Sequence, residues 1–545
     1  MNDMLSSIMR SAWRLLRLTG VAGGLALFAS APAHARSDVA PYIEVQQVLD
    51  AELNGGGDVL TYTSVAAGVD ATVTTRRVQA QISYRYERRI AWNHNINDED
   101  VHSGLAQARI EIAPEVLTLD AGAIATRGRA DPRGPGFGFT SADNSNIADV
   151  YAGYVGPSLA THVGPLSVNA SYHLGYVKVD DHNQAGSAFP GGPLDRYDSS
   201  TSHDVQASVG MAPGELPVGW TIAAGYVREN SKRLKHRFEG KYVRGDVVVP
   251  VSPTFAVTGG IGYEKIRSSQ QDYLRDEDGL PVVTPGGNLI ADPSKPRLLS
   301  YDQSGLIWDA GVIWRPSPRT ELTARGGQRY GDTTVVGTLK YQFSRDFGFT
   351  AVVYDSVTSF GRLLVSDING LPTNFKVQNR GLNANNFGGC VFGNDPGSGR
   401  CLGDALNAIS GQDFRNRGIG LMLSGHRGVW DMEIGAGYAQ RKYLAADSGP
   451  FSLHGVTDKS ATVEATLGRS LTRTSGFDIQ GYAEWYDAGI AGNDTVFSSG
   501  VTGTYYRNFL LDRLQGTASV GIYTSNGNDD DSTVASALLG LRYNF

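Results

Sequence analysis

From Val65 to Val73 every second residue is apolar (Val65, Ala67, Val69, Ala71, Val73), and the positions between are Ala66, Gly68, Asp70 and Thr72. The next segment repeats the period: Val78, Ala80, Ile82, Tyr84 and Tyr86 point one way, and Gln79, Gln81, Ser83, Arg85 and Glu87 the other. A repeat of two sends successive side chains to opposite faces of a strand, so these segments predict a sheet with one apolar and one polar surface. The pattern runs to the C-terminus, where Ala535, Ala537, Leu539, Leu541, Tyr543 and Phe545 form an unbroken apolar row.

Alternation alone does not separate a soluble sandwich from a barrel; the connections do. Short turns centre on Arg76, Pro114, Gly164-Pro165, Pro213-Gly214, Ser252-Pro253, Ser317, Arg345, His426, Thr474 and Phe509. Between them lie longer segments rich in Asn, Asp, Gly and Pro: Trp92 to Val101, Arg127 to Ile147, Asp180 to Ser202, Ser269 to Leu299 and Val357 to Asn416. Short turns on one side and long loops on the other predict an all-β, antiparallel, up-and-down transmembrane barrel with periplasmic turns and extracellular loops. Ten turns pair twenty strands; a first strand near Tyr42 to Leu53 and a last at Ser532 to Phe545 bring the total to about 22, within a range of roughly 18 to 22.

Composition narrows the class. The chain has 545 residues, 48 basic and 55 acidic side chains, 41% hydrophobic residues and 68 Gly. So much apolar sequence excludes a disordered polymer, and a net charge of -7 argues against nucleic-acid partners. Residues 1–35 read as a signal peptide: Arg10, Arg14 and Arg17 precede the apolar run Leu18 to Ala29, and Ala33-His34-Ala35 precedes cleavage before Arg36. Removing its net +2 leaves -9 on the barrel, residues 36–545. The expected location is the outer membrane of a Gram-negative bacterium.

Charges on the polar rows are tolerable only against water, which makes Arg85, Glu87, Arg109, Glu111, Glu321, Arg325, Glu464 and Glu484 the candidate lumen lining, with Lys340 and Glu433 beside them. Tyr86, Tyr176, Tyr226, Trp314, Tyr438 and Trp485 fit an interfacial girdle. Within residues 358–416 alternation stops for longer than an ordinary loop requires. Cys390 and Cys401 there are expected to form a disulfide, and Leu402 to Ser410 a helix with Leu402, Leu406 and Ile409 on one face. The segment either folds into the barrel mouth as a constriction or covers it as a solvent-facing lid.

No catalytic, cofactor or metal residues are assigned. Ser171, His173 and Asp180 have the residue types of a hydrolase but no nucleophile elbow around them, and the acidic runs 98–100, 276–278 and 529–531 lack a complete calcium loop. The inner-face Tyr482 and Tyr486 read more readily as packing between wall and loops than as sugar-stacking surfaces.

The terminal row Leu539, Leu541, Tyr543 and Phe545 resembles the last strand of Gram-negative outer-membrane barrels. That resemblance implies folding by the barrel-assembly machinery into a membrane of lipid and lipopolysaccharide. Val247-Val248-Val249-Pro250-Val251-Ser252-Pro253 and Ser536 to Tyr543 resemble an outer-membrane family found near exopolysaccharide and exosortase systems. A barrel of that width predicts either a channel or a plugged lumen, and the first reading is a channel whose water-filled or gated lumen passes a hydrophilic solute. The resemblance adds exopolysaccharide export and polysaccharide-export partners. A surface anchor, adhesin or receptor barrel is the alternative, and a lumenal hydrolase the third reading. A siderophore-type receptor with an N-terminal plug is not expected, because strands begin close to Arg36.

Overall fold

The computed structural model describes residues 36–54, 59–92, 98–130, 147–181, 197–284, 289–407, 409–446, 452–490, 495–527 and 531–545. The expected signal peptide and its Ala33 and Ala35 lie outside them. Twenty-two antiparallel strands form one sheet, closed by pairing of the first strand with the last. The first fifteen are β1 Arg36–Glu52, β2 Val59–Thr74, β3 Val78–Ala91, β4 Glu99–Ala113, β5 Leu117–Arg129, β6 Ile147–Val163, β7 Leu166–Asp181, β8 Ser199–Met211, β9 Gly219–Ser231, β10 Arg237–Ser252, β11 Phe255–Gln270, β12 Leu298–Ser317, β13 Thr320–Arg329, β14 Asp332–Ser344 and β15 Phe347–Thr358. A 55-residue insert, 359–413, follows and carries the hairpin β16 Cys390–Phe392 and β17 Gly399–Cys401. The wall resumes with β18 Phe414–Arg427, β19 Trp430–Tyr443, β20 Thr457–Ser470, β21 Ser475–Asp487, β22 Val496–Phe509, β23 Leu514–Asn526 and β24 Ser532–Asn544.

Closure removes the edges that an open sheet would expose. Outside, the apolar rows are bare: Val243, Ile261, Tyr263, Leu306, Val501, Leu539 and Leu541 are all exposed. Such a surface belongs in hydrocarbon, and the protein is an outer-membrane β-barrel. No helix among the described residues is long and apolar enough to cross a membrane. Tyr86, Tyr176, Tyr226 and Tyr438 sit on the outward rows toward the long-loop end, and Trp314 toward the short-turn end. Two outer connections, Lys232–His236 and Tyr330-Gly331, are as short as the inner turns. The second turns in two residues with positive φ at both, Tyr330 at 58° and Gly331 at 76°.

The core lies inside the barrel. Leu105, Ile124, Val150, Ala152, Tyr154, Val177 and Val179 of β4–β7 bury against Phe360, Leu364, Ile368, Leu371, Phe375, Leu402, Leu406 and Ile409 of the insert. The segment 359–413 therefore folds into the lumen. Its first element is a helix the alternation reading misses, Phe360–Asn369, with Ser359 as N-cap accepting from the Arg362 N–H. The helix expected over Leu402 to Ser410 is a single turn, Gly403–Leu406, with Leu402 as its N-cap and Asn407 as its C-cap. Leu402, Leu406 and Ile409 are buried in the lumen core.

Candidate functional site

The insert is bonded to the wall on many sides, mostly through residues that the strand period aims inward. Both roots are fixed at the outer end of β9 and β10. Ser359 donates its hydroxyl to Glu229, and Asp413 sits 3.1 Å from His236 Nε2. The helix Phe360–Asn369 then crosses to the apolar wall. Gly175 of β7 makes room there, since a Cβ would fall 2.9 Å from the Val365 methyls. At the helix C-terminus, where carbonyls lose their intrahelical partners, the Gln107 amide donates to the Ile368 carbonyl at 2.8 Å.

Beyond the helix, Gln81 treats the insert as a neighbouring strand. Its Nε2 donates to the Phe375 carbonyl at 2.7 Å, and its Oε1 accepts from the Phe375 N–H at 2.9 Å. Lys376 pairs with Glu433 at 2.6 Å. Asn383 donates to Gln480 (2.8 Å) and Thr502 (3.0 Å), and Asn385 to Ser83 (2.7 Å). These bonds give buried polar groups the partners that a water-filled pore would otherwise supply.

The Cys390–Cys401 disulfide closes the β16–β17 hairpin. A cross-link over so short a loop stabilises the hairpin by about 2–3 kcal/mol through the chain entropy it removes. Gly435 of β19 faces it, and a Cβ there would lie 2.4 Å from Cys390 Sγ. Only the glycine lets the hairpin lie flat on the wall. The Cys390 N–H donates to Glu464 at 2.7 Å.

One carboxyl in the insert is perturbed. Asp367 is buried and its pKa rises to about 7, first through burial and then through the nearby Asp404 carboxylate; Arg400 at 2.7 Å opposes the rise. Asp404 accepts from the Tyr354 hydroxyl at 2.9 Å and from Asn416 at 3.3 Å, so wall and insert share it.

The sequence-derived lining residues lie on inner rows but do not form one site. Arg85 is buried with Glu44, Gln46 and Glu87. Arg109 pairs with Asp120 at 2.7 Å, and Glu111 shares its row on β4. Glu321 pairs with Arg315, and Glu484 with Arg129. Arg325 joins Arg244, Asp246 and Asp309, with Arg244 donating to both carboxylates at 2.6 to 3.1 Å and Arg325 2.6 Å from Asp246. Of the eight, Glu464 bonds the insert directly. Gln81, Gln107 and Glu229, which hold it, carry no sequence signal beyond their place in the polar rows, and His236 none in its connection before β10.

The hydrolase set does not assemble. Asp180 lies in β7 rather than in a loop and pairs with Lys178 at 2.6 Å, while His173 packs on the Tyr154 ring. Buried Ser268 and Asp413 both meet His236 at the same nitrogen, Nε2, leaving the acid on the wrong side for a relay. Asp98 and Asp100 are held by Arg88. Among the described residues no group of three or more His, Cys, Asp or Glu could hold a metal ion. Tyr486 is buried, with its hydroxyl on Asp458.

No family model matches the chain, and no curated protein matches it. Solved structures do. The FrpB iron transporter of Neisseria meningitidis (F5-1 variant) is 11% identical, with 93% of this chain and 83% of that chain covered at a TM-score of 0.45. BauA, the ferric preacinetobactin receptor of Acinetobacter baumannii, is 11% identical, covering 93% and 81% at 0.44. Pseudomonas aeruginosa OccK2 (OpdF) is 9% identical, covering 94% and 98% at 0.32. The expected kinship with an exopolysaccharide-associated family is corrected by these results: no family model matches, and the solved structures that match include iron transporters and siderophore receptors. The expected channel, a water-filled or gated lumen passing a hydrophilic solute or exopolysaccharide, is corrected as well, because the insert is packed into the lumen.

Proposed function

We propose that this outer-membrane barrel is a surface receptor whose lumen is closed at rest by its own insert, with the barrel as anchor and the outer loops as recognition surface. The observation that carries the reading is the filled lumen, packed on β4–β7 and bonded to strands on several other sides. A cavity of about 100 Å³ remains between the outer halves of β1–β5 and the insert turn 381–386. Asp50, Tyr62, Arg89, Arg127, Asn383 and Asn385 line it, a polar pocket on the side a ligand would reach first. In the same reading residues 1–35 direct export, and Leu539, Leu541, Tyr543 and Phe545, whose side chains form part of the outer wall, are the assembly signal.

The test is single-channel conductance of the refolded barrel in planar bilayers. The native protein is expected to be silent, and a variant with residues 372–401 replaced by a short Gly/Ser linker is expected to give large steps. Large, stable steps from the native protein would overturn the closed-receptor reading.

A further inference from the structure

The register of β9–β12 places a row of cations on the outside of the barrel. Lys241 stands directly opposite Lys265 across the β10–β11 ladder. Like charges in directly opposed positions destabilise a strand pair. Both lysines are exposed and face outward. Their lower neighbours in the same rows, Val243 and Tyr263, are 57% and 56% exposed, and the apolar Leu306 continues the band on β12.

One register step toward the outer rim, Arg228 stands opposite Glu239, and Glu239 opposite Arg267. The two acids of the patch are already engaged, Glu239 with Arg237 at 3.0 Å and Asp302 with Arg267 at 3.8 Å. Arg228 reaches Asn230, while its Nε has no partner. Five cations (Arg228, Arg237, Lys241, Lys265, Arg267) thus face two carboxylates along the upper border of the apolar band. Elsewhere on the rim the balance is different: Arg88 of β3 is answered by both Asp98 and Asp100.

We propose that Lys241, Lys265 and Arg228 form a binding site for the phosphate groups of an outer-leaflet glycolipid. Position selects a lipid over a free anion, because the lysines stand directly above side chains that only acyl chains can cover. A phosphate between the two ammonium groups would turn a repulsive pair into a bridged one. The inference rests on the outer-membrane orientation and is independent of the receptor reading.

The full-length protein in nanodiscs, titrated with diphosphorylated lipid A and followed by native mass spectrometry, tests it. Each basic group near an anionic lipid surface contributes about fivefold, so Lys241→Gln with Lys265→Gln is expected to weaken binding by roughly 25-fold. Dephosphorylated lipid A should bind the native protein as weakly. Lys265→Glu should lose the lipid while raising the melting temperature of the lipid-free barrel, because it replaces repulsion with a cross-strand ion pair. Undiminished lipid binding by the folded double variant would overturn the site, and displacement of lipid A by millimolar inorganic phosphate would overturn its assignment to a lipid.

Discussion

The two sides of the lumen solve the same problem by opposite means. Toward the outer end of β4–β7 most inner-row residues are apolar or small (Leu105, Ile124, Val150, Ala152, Val177, Val179), and they are covered by the helix Phe360–Asn369 and by Leu402, Leu406 and Ile409. On β10–β13 the inner rows carry Arg244, Asp246, Asp309 and Arg325, which satisfy one another across the strands. The first side needs the insert to keep water from its surface. The second is complete in itself and loses little if the insert moves. The apolar part of closure therefore lies on β4–β7, while β10–β13 keeps its own polar network whichever way the insert lies.

The comparison breaks most visibly at Leu364 and Ile368, both 0% exposed. Truncating either to alanine is expected to cost the packed state about 2–5 kcal/mol. Rapid proteolysis of the insert in a barrel that still migrates as folded would register it, together with the appearance of conductance steps. A silent, protease-resistant double variant would mean that the polar bonds alone hold the insert.

A smaller effect sharpens the other side. Asp309→Asn weakens charge-assisted bonds to Arg244 and Arg325 and is expected to cost the wall about 1–3 kcal/mol. Thermal melting should fall while the bilayers stay silent. If the variant conducts, the charged sector takes part in closure and the two sides are not independent.

The smallest effect is a pH dependence. Because the Asp367 pKa is raised to about 7 from an ordinary 3.8, the folded insert favours the neutral carboxyl. Its stability is then greatest below the unfolded value, declines as pH rises between the two values, and is constant above the folded one. Protease resistance of the native insert should fall across that window, measured against an unfolded control at each pH. Asp367→Asn should flatten the curve; an identical slope in the variant would assign the effect to other groups.

Much of the wall was legible because a strand with lipid on one side and water on the other writes its geometry into every second residue. The ten short turns and the last strand follow from that period. The insert was legible as an interruption, but its first helix was not, although Phe360, Leu364 and Ile368 recur every four residues behind a capping serine. Against a background of period two, nine residues of another period look like a loop. The residues that grip the insert were hidden for a different reason. Gln81 and Gln107 sit on inner rows as any polar residue would, and only the tertiary position of Phe375 and Ile368 distinguishes them. The exopolysaccharide expectation failed because it rested on short apolar strings that any lipid-facing strand can share.

Both ends of the insert continue directly into strands at the outer rim, at Thr358 and Phe414. The stopper is thus tethered twice to the opening it fills, and in the closed-receptor reading its return after release is a first-order event. Its rate does not depend on how many copies the cell makes or on the concentration of any second component, because the tether sets an effective concentration in the millimolar range. Every barrel carries one stopper, and an opened barrel keeps the means to shut itself.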